Sequence, residues 1–376
     1  MRVLFLRSNP VDPDSRVEKE VNSLLKDGHA VEIFAWDRSS DYEVRVTDLK
    51  ILKSVVPIHR IGIKSEYSAG FKKNLIPLIR FQLALLSFLV RNRKQFDAVH
   101  ACDFDTAYIA SKVCNMFDIK LIYDIFDYYV DSFSVPHAVR SLIERMDQKV
   151  INGADAVIIC SEQRTLQIAG AQPRKLVVIH NSPSLELLEG QIGEPANGNC
   201  GRIVVGYVGI LAKGRALEQL LDFIAANNDF ELRIGGFGIL EELVESYSIA
   251  YENIYFMGKL QYEETLKAES SCDLLVAFYD PKIRNHVFAA PNKFYESLML
   301  GKPVLMADGS GMASCVAEQG LGYTSAYSNL GEALLAAKAD RDNWNEISVR
   351  ERRLYQSNYS WGEMDHRLRA LYDSLS

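Results

Sequence analysis

Short runs of Val, Ile and Leu recur along the whole chain, separated by longer stretches in which apolar residues return every three or four positions. In the first half the apolar runs predict strands over 2–7, 30–35, 96–100, 119–123, 155–160 and 176–179. Helical spacing predicts helices over 16–27, 74–92, 104–116, 138–152 and 162–169. These strands lack in/out alternation, as strands covered on both faces do, and crossover helices between them imply a parallel, doubly wound sheet.

At Ser182 the rhythm breaks. "SPSLELLEGQIGEPANGNCG" is rich in Pro, Gly and Asn and predicts a linker over 183–200. A second series follows, with strands over 202–208, 231–235, 253–256, 273–278, 302–306 and a short one near 321–324. The expected architecture is therefore α/β: two Rossmann-like doubly wound parallel-sheet domains, 1–182 and 201–360, facing a cleft. An amphipathic helix over 361–376, carrying Trp361, Leu368, Leu371 and Tyr372, closes the chain. In such sheets ligands sit beyond the carboxyl ends of the strands, so the loops there carry the chemistry.

Composition narrows the classes. With 376 residues, 48% hydrophobic and 24% charged, the chain has enough core for two domains. A net charge of -7 leaves no basic excess for nucleic acid. Cys102, Cys114, Cys160, Cys200, Cys272 and Cys315 are scattered without metal-ligand spacing and read as buried thiols in a reducing compartment. The opening "MRVLFLRSNP" is too short for a signal peptide, and no charge-free apolar run of about 18 residues marks a membrane span. The cytoplasm is the expected location.

Three turns stand out. The strand "IVVGYVG" ends at Gly209 and runs into "ILAKGRALEQLLDFI", where a helix start beside Lys213 and Arg215 makes an anion site or an ordinary turn with solvated cations. "LRIGGFGILEEL" places Gly236 at the next strand end but is not a dinucleotide fingerprint. The first strand leads into "SNPVDPDSR" without glycine, which disfavours an NAD enzyme. "PNKFYESLMLGKPVL" puts Pro291, Asn292, Lys293 and Glu296 at a helix start after a strand. There a carboxylate suits ribose hydroxyls and a lysine suits phosphate; the plainer reading is an i,i+3 surface ion pair.

Taken in order, these pieces resemble GT-B glycosyltransferases, specifically the family 4 group (glycosyltransferase group 1). "DSRVEKEVNSLLKDGHAVEIFAW" is similar to that group's first helix and second strand, "VIHNS" to its stretch before the hinge, with Asn181 in place. "YVGILAKGRALEQLL" aligns with V-G-R-L-x-x-x-K-G, "NIYFMGKLQYEETLKAESSCDLLVAF" with V-x-F-x-G and Y-x-x-A-D-x-x-V, and "YSWGE" with the final helix, which in this fold crosses back to the first domain. The resemblance implies a donor site of Gly209, Lys213, Arg215, Gly236, Lys259, Pro291, Asn292, Lys293 and Glu296, with Arg215 and Lys293 on the pyrophosphate and Glu296 on the ribose. Two departures are visible: Phe288 stands where the first acid of a glutamate pair is expected, and Ile210 replaces an arginine.

Catalysis is sought in the first domain. "HACDFD" and "YDIFDYYVD" offer Asp103, Asp124 and Asp127, with Asp124 and Asp127 preferred and N-capping the plainer fate of each. The D-x-D look of "DFD" is discounted, since cations and a helix dipole already neutralise a diphosphate; no metal and no cofactor are expected. "GFKKNLIPLIRFQLALLSFLVRNRK" carries Lys72, Lys73, Arg80, Arg91, Arg93 and Lys94; its apolar part is expected to be buried on the sheet, leaving the basic ends to meet anionic lipid. The expected activity is transfer of a sugar from a UDP-, GDP- or dTDP-sugar to an acceptor hydroxyl of a glycan or lipid-linked saccharide, with retention, in bacterial surface polysaccharide or glycolipid assembly. A nucleotide-sugar epimerase of the same fold and a noncatalytic partner subunit remain alternatives.

Overall fold

The computed structural model describes residues 1–51, 54–65, 71–132, 135–184 and 201–375. The expected linker at 183–200 lies almost wholly outside the described residues, as do Cys200 and the side chain of Lys72. The chain divides into two compact units, Met1–His180 with Asp365–Ser376, and Asn181–Met364.

In the first unit, β1 (Arg2–Arg7), β2 (Ala30–Asp37), β3 (Tyr42–Ile51), β4 (Ser54–Gly62), β5 (Ala98–Cys102), β6 (Lys120–Ile125), β7 (Ala156–Ile159) and β8 (Leu176–Val178) form one sheet. Their order is β3-β4-β2-β1-β5-β6-β7-β8, all parallel except for the antiparallel β3–β4 pair. The central strands are buried on both faces, as their unbroken apolar runs require. The β3–β4 hairpin is an addition to the sequence reading. "YEVRVTDLKI" alternates with charged residues and lies mostly exposed at the sheet edge, so it lacks the signature of a covered strand. The helix expected over 162–169 is only a short 3₁₀ turn, Glu162–Leu166.

The second unit has β9 (Ile203–Ile210), β10 (Phe230–Phe237), β11 (Ile254–Phe256), β12 (Leu274–Ala277), β13 (Val304–Ala307) and β14 (Gly322–Ser325), all parallel. Their order, β11-β10-β9-β12-β13-β14, reverses direction at β9. In the first sheet the same reversal falls at β1, between β2 and β5. These are the switch points where neighbouring loops splay apart and leave room for a ligand.

Each unit has its own apolar core, one around Phe34, Phe81 and Tyr123, the other around Tyr207, Phe230 and Phe278. The last helix, Trp361–Asp373, buries Leu368, Leu371 and Tyr372, and its Tyr372 hydroxyl meets His100 Nδ1 at 2.9 Å in the first unit.

The helix Phe71–Asn92 corrects an expectation. Only one face, with Phe81, Leu85 and Leu89, is buried against the core. The other carries Ile76, Ile79, Leu83 and Leu86 at exposures of 70%, 50%, 62% and 36%. Spacing of three and four residues draws these four into a single outward stripe. By length and composition Lys73–Asn92 is also apolar enough to cross a membrane, despite the charges it carries.

Candidate functional site

The end of β9 is shaped by two glycines. Gly209 and Gly236 are register partners on β9 and β10, with φ of 157° and 137°. A Cβ on Gly236 would lie 1.7 Å from the Gly209 carbonyl oxygen, so only glycine fits, and both strand ends present bare backbone. Beyond β9 the chain turns through Gly214 and enters the helix Leu217–Ala226. Ala216 stands at its start in the left-handed region, φ 52°, with its N–H donating to the Tyr327 hydroxyl at 3.0 Å.

Arg215 reaches from this turn to Tyr279, just past β12, across the switch point. Its Nη1 donates to the Tyr279 hydroxyl at 2.9 Å, and the guanidinium lies 4.6 Å from the centre of that ring. Lys293 approaches the same place from the helix Asn292–Leu300. It is buried, donates from Nζ to the Val208 carbonyl, and stands 4.6 Å from the Tyr207 ring centre. A Cβ on Gly209 would be 3.1 Å from its Nζ. Burial opposes the Lys293 charge, but Tyr279 and Tyr207, then Glu269 and Glu296, hold its pKa above the ordinary lysine value. Arg215 is likewise desolvated, and its pKa is raised by the two tyrosine oxygens. Tyr207 is pushed up by burial and therefore stays neutral at pH 7.

Arg215 and Lys293 thus converge on phenols and a carbonyl, and no direct carboxylate ion pair holds either of them among the described residues. Arg215, desolvated against a phenol beside unclothed backbone, leaves positive charge that an anion would balance, and the Lys293 ammonium stands next to it. The helix bearing Lys293 begins after Pro291, which occupies the cap position, and ends at Gly301 in the left-handed region. Asn292 is exposed and accepts a hydrogen bond from Asn181 at 2.9 Å. Glu296 is buried, with Tyr262 and Glu269 as neighbours. The plainer reading of Lys293 and Glu296 as surface decoration is therefore excluded. Lys213 and Lys259 are exposed, the latter 5.1 Å from the Phe237 ring centre.

The candidate acids of the first unit separate sharply. Asp124 corrects the expectation placed on it: it is fully buried, bonded to Arg16 Nη2 at 2.9 and 3.1 Å and to His100 Nε2 at 3.3 Å. Arg16 also holds Glu20 at 3.0 Å. Glu20, His100 and Asp124 present ligand atoms within 4.8 Å of one another, but the guanidinium already supplies the cation there. Burial opposes the Asp124 charge, and Arg16 with His100 overcomes it; burial and Asp124 together push Glu20 well up. The network ties the helix Ser15–Lys26 to β5 and β6, and its carboxylates are buried.

Asp103 instead sits at the switch point. It follows β5 at φ 64°, ψ 163°, a conformation almost reserved for glycine. Its Oδ1 accepts from the N–H groups of Phe126 and Asp127 at 2.9 and 3.2 Å, and its Oδ2 meets Arg7 at the end of β1. Burial raises its pKa to about 6, against the pull of Arg7. Asp127 is half-exposed and bonded to Arg164 at 2.7 Å. The sequence order of preference therefore inverts: Asp103 and Asp127 remain accessible or strained, and Asp124 is structural.

Residues missed from sequence are Tyr207, Tyr279, Glu269, Arg7 and Arg16. The two tyrosines hide inside apolar strand patterns, and the others gain meaning only from partners far along the chain.

No family model matches the chain. Over 210 residues, 52% of this chain, it is 26% identical to an uncharacterised glycosyltransferase of Bacillus subtilis, YqgM, and the match spans 56% of that protein's length. Over its full length it is similar in structure to a sucrose-phosphate synthase of Thermosynechococcus elongatus, with a TM-score of 0.74, 16% identity and coverage of 100% of this chain and 99% of that one. It is also similar to Anabaena HepE in complex with UDP (TM-score 0.70, 15% identity, 100% of both chains). An Escherichia coli structure bound with UDP-2-fluoro glucose gives 0.74 at 10% identity, over 99% of this chain and 98% of that one. These likenesses give the fold, GT-B, with two parallel-sheet α/β units.

Proposed function

We propose that the chain is a glycosyltransferase of the family 4 type, binding a nucleoside-diphosphate sugar on its second unit and transferring the sugar to an acceptor hydroxyl bound by the first. The observation that carries this is the pair Arg215 and Lys293 on neutral phenols at the end of β9, beside the bare Gly209–Gly236 backbone. A diphosphate supplies the negative charge that Arg215 lacks, and Arg215 with Lys293 stabilises the leaving nucleotide as its charge develops. Glu296 takes the ribose hydroxyls. The similarity to structures that carry UDP and UDP-2-fluoro glucose supports the donor class. Retention of configuration, a hexosyl donor and a role in surface polysaccharide or glycolipid assembly belong to this reading through the family resemblance.

Asp103, joined to Arg7 at the first unit's switch point, is the carboxylate assigned to the acceptor side. A lipid-linked acceptor, met at the cytoplasmic face of a membrane, is favoured by the stripe Ile76, Ile79, Leu83 and Leu86 with Lys73 and Arg80 beside it. The test is a screen of nucleotide sugars for hydrolysis or transfer with the purified protein. Release of a nucleoside diphosphate from one donor, lost in Lys293→Ala, supports the reading; release from none, with and without a lipid extract as acceptor, sinks it.

A further inference from the structure

Within the second unit, the helix Tyr262–Ser270 lies against the helix Asn292–Leu300. Glu269 on the former is fully buried, and neither of its carboxyl oxygens receives an N–H or O–H from the described residues. The charged groups it faces are Glu296 and Lys293 of the other helix; Tyr262 on its own helix also bonds to Glu296, and the Cys272 thiol lies nearby. Two carboxyl groups and one ammonium therefore lie together in a largely buried cluster. With both carboxyls ionised, one negative charge would stay buried without a cation, which is costly; a single proton makes the set neutral.

We propose that Glu269 is a positioning residue of the donor site, a neutral carboxylic acid that donates a hydrogen bond to the Glu296 carboxylate. With the Tyr262 hydroxyl, it fixes Glu296 in the orientation that meets the nucleoside hydroxyls. The inference rests on the donor-site reading above. Glu269 takes the proton because burial, followed by the charge on Glu296, drives its pKa well above the ordinary carboxyl value. When that proton leaves at high pH, two buried carboxylates repel, and Glu296 loses both its donor and its fixed position.

The experiment compares wild type, Glu269→Gln and Glu269→Ala by calorimetric titration with UDP, GDP and dTDP between about pH 7 and about pH 9.5, the Gln variant reporting whatever the nucleotide's own ionisation contributes. Glutamine keeps an N–H donor to Glu296 and cannot ionise. Wild-type affinity is expected to fall as the shared proton leaves, by about tenfold once it is lost, while the Gln variant changes by less than about threefold; the Ala variant is weaker by about tenfold at the lower pH. Parallel pH dependence of wild type and the Gln variant, or an Ala variant that binds like wild type, overturns the proposal. Melting temperature against pH without nucleotide gives a readout independent of the ligand. The carboxyl with a raised folded-state pKa makes wild type lose stability as pH rises, a slope the Gln variant lacks. Equal slopes overturn the shared proton even if the Ala variant fails to fold. A wild type that binds none of the nucleotides at any pH defeats the donor-site reading itself, a result distinct from equal slopes.

Discussion

Ala216 carries a backbone cost that glycine would avoid. It sits at φ 52° at the start of the helix after β9, in the left-handed region that glycine adopts freely. Ala216→Gly should stabilise the protein by about 1 kcal/mol, read as a higher urea midpoint at unchanged slope. Asp147 is a second isolated case. It is fully buried, accepts a hydrogen bond from the Tyr123 hydroxyl at 2.9 Å, and burial lifts its pKa to about 7. The folded state then binds a proton that the unfolded state has released, so stability falls between about pH 4 and pH 7 and is flat above. Asp147→Asn should remove that part of the slope and stabilise the protein at pH 8 by on the order of 2 kcal/mol, measured by denaturant titration at several pH values. For Asp103 the same physics bears on chemistry. Asp103→Asn leaves the fold intact but should abolish the part of any acceptor-dependent pH–rate profile that titrates near pH 6. At this scale the sequence reveals glycines and cations at strand ends, because those positions have few plausible fates. It does not reveal Glu269 or Arg16, whose partners come from other elements.

Elements were easier to read where both faces are covered. Strands such as Val304–Ala307 and Ala156–Ile159 are continuous apolar runs, and their helices carry regular spacing. Reading failed at the edge, where Tyr42–Ile51 alternates exposed charges, and on Phe71–Asn92, whose apolar residues are too many for the face that is buried. A helix hydrophobic on both sides reads as core unless the width of its contact is known. Its outward stripe predicts that Ile79→Glu with Leu83→Glu will reduce sedimentation with anionic phospholipid vesicles severalfold, while shifting stability by no more than about 0.5 kcal/mol, since both side chains are already in solvent. Wild-type binding should weaken with salt, because Lys73, Arg80 and Arg91 lie on the same helix.

For the whole molecule, the number of units and their sheet type follow from the periodic alternation of strands and helices, and full-length similarity to solved GT-B structures agrees with it. The two units differ in what they offer a ligand. The second brings Arg215 to a phenol and Lys293 to a backbone carbonyl at its switch point; the first pairs Arg7 with both Asp14 and Asp103. Donor binding by the second unit is the central claim, and its most direct measurement is calorimetric titration of UDP, GDP and dTDP into wild type, Arg215→Ala and Lys293→Ala, with circular dichroism to verify folding. One nucleoside diphosphate should bind wild type and raise its melting temperature, and each variant, still folded, should bind at least about tenfold more weakly. No binding by wild type, or affinity unchanged in both folded variants, would contradict the account.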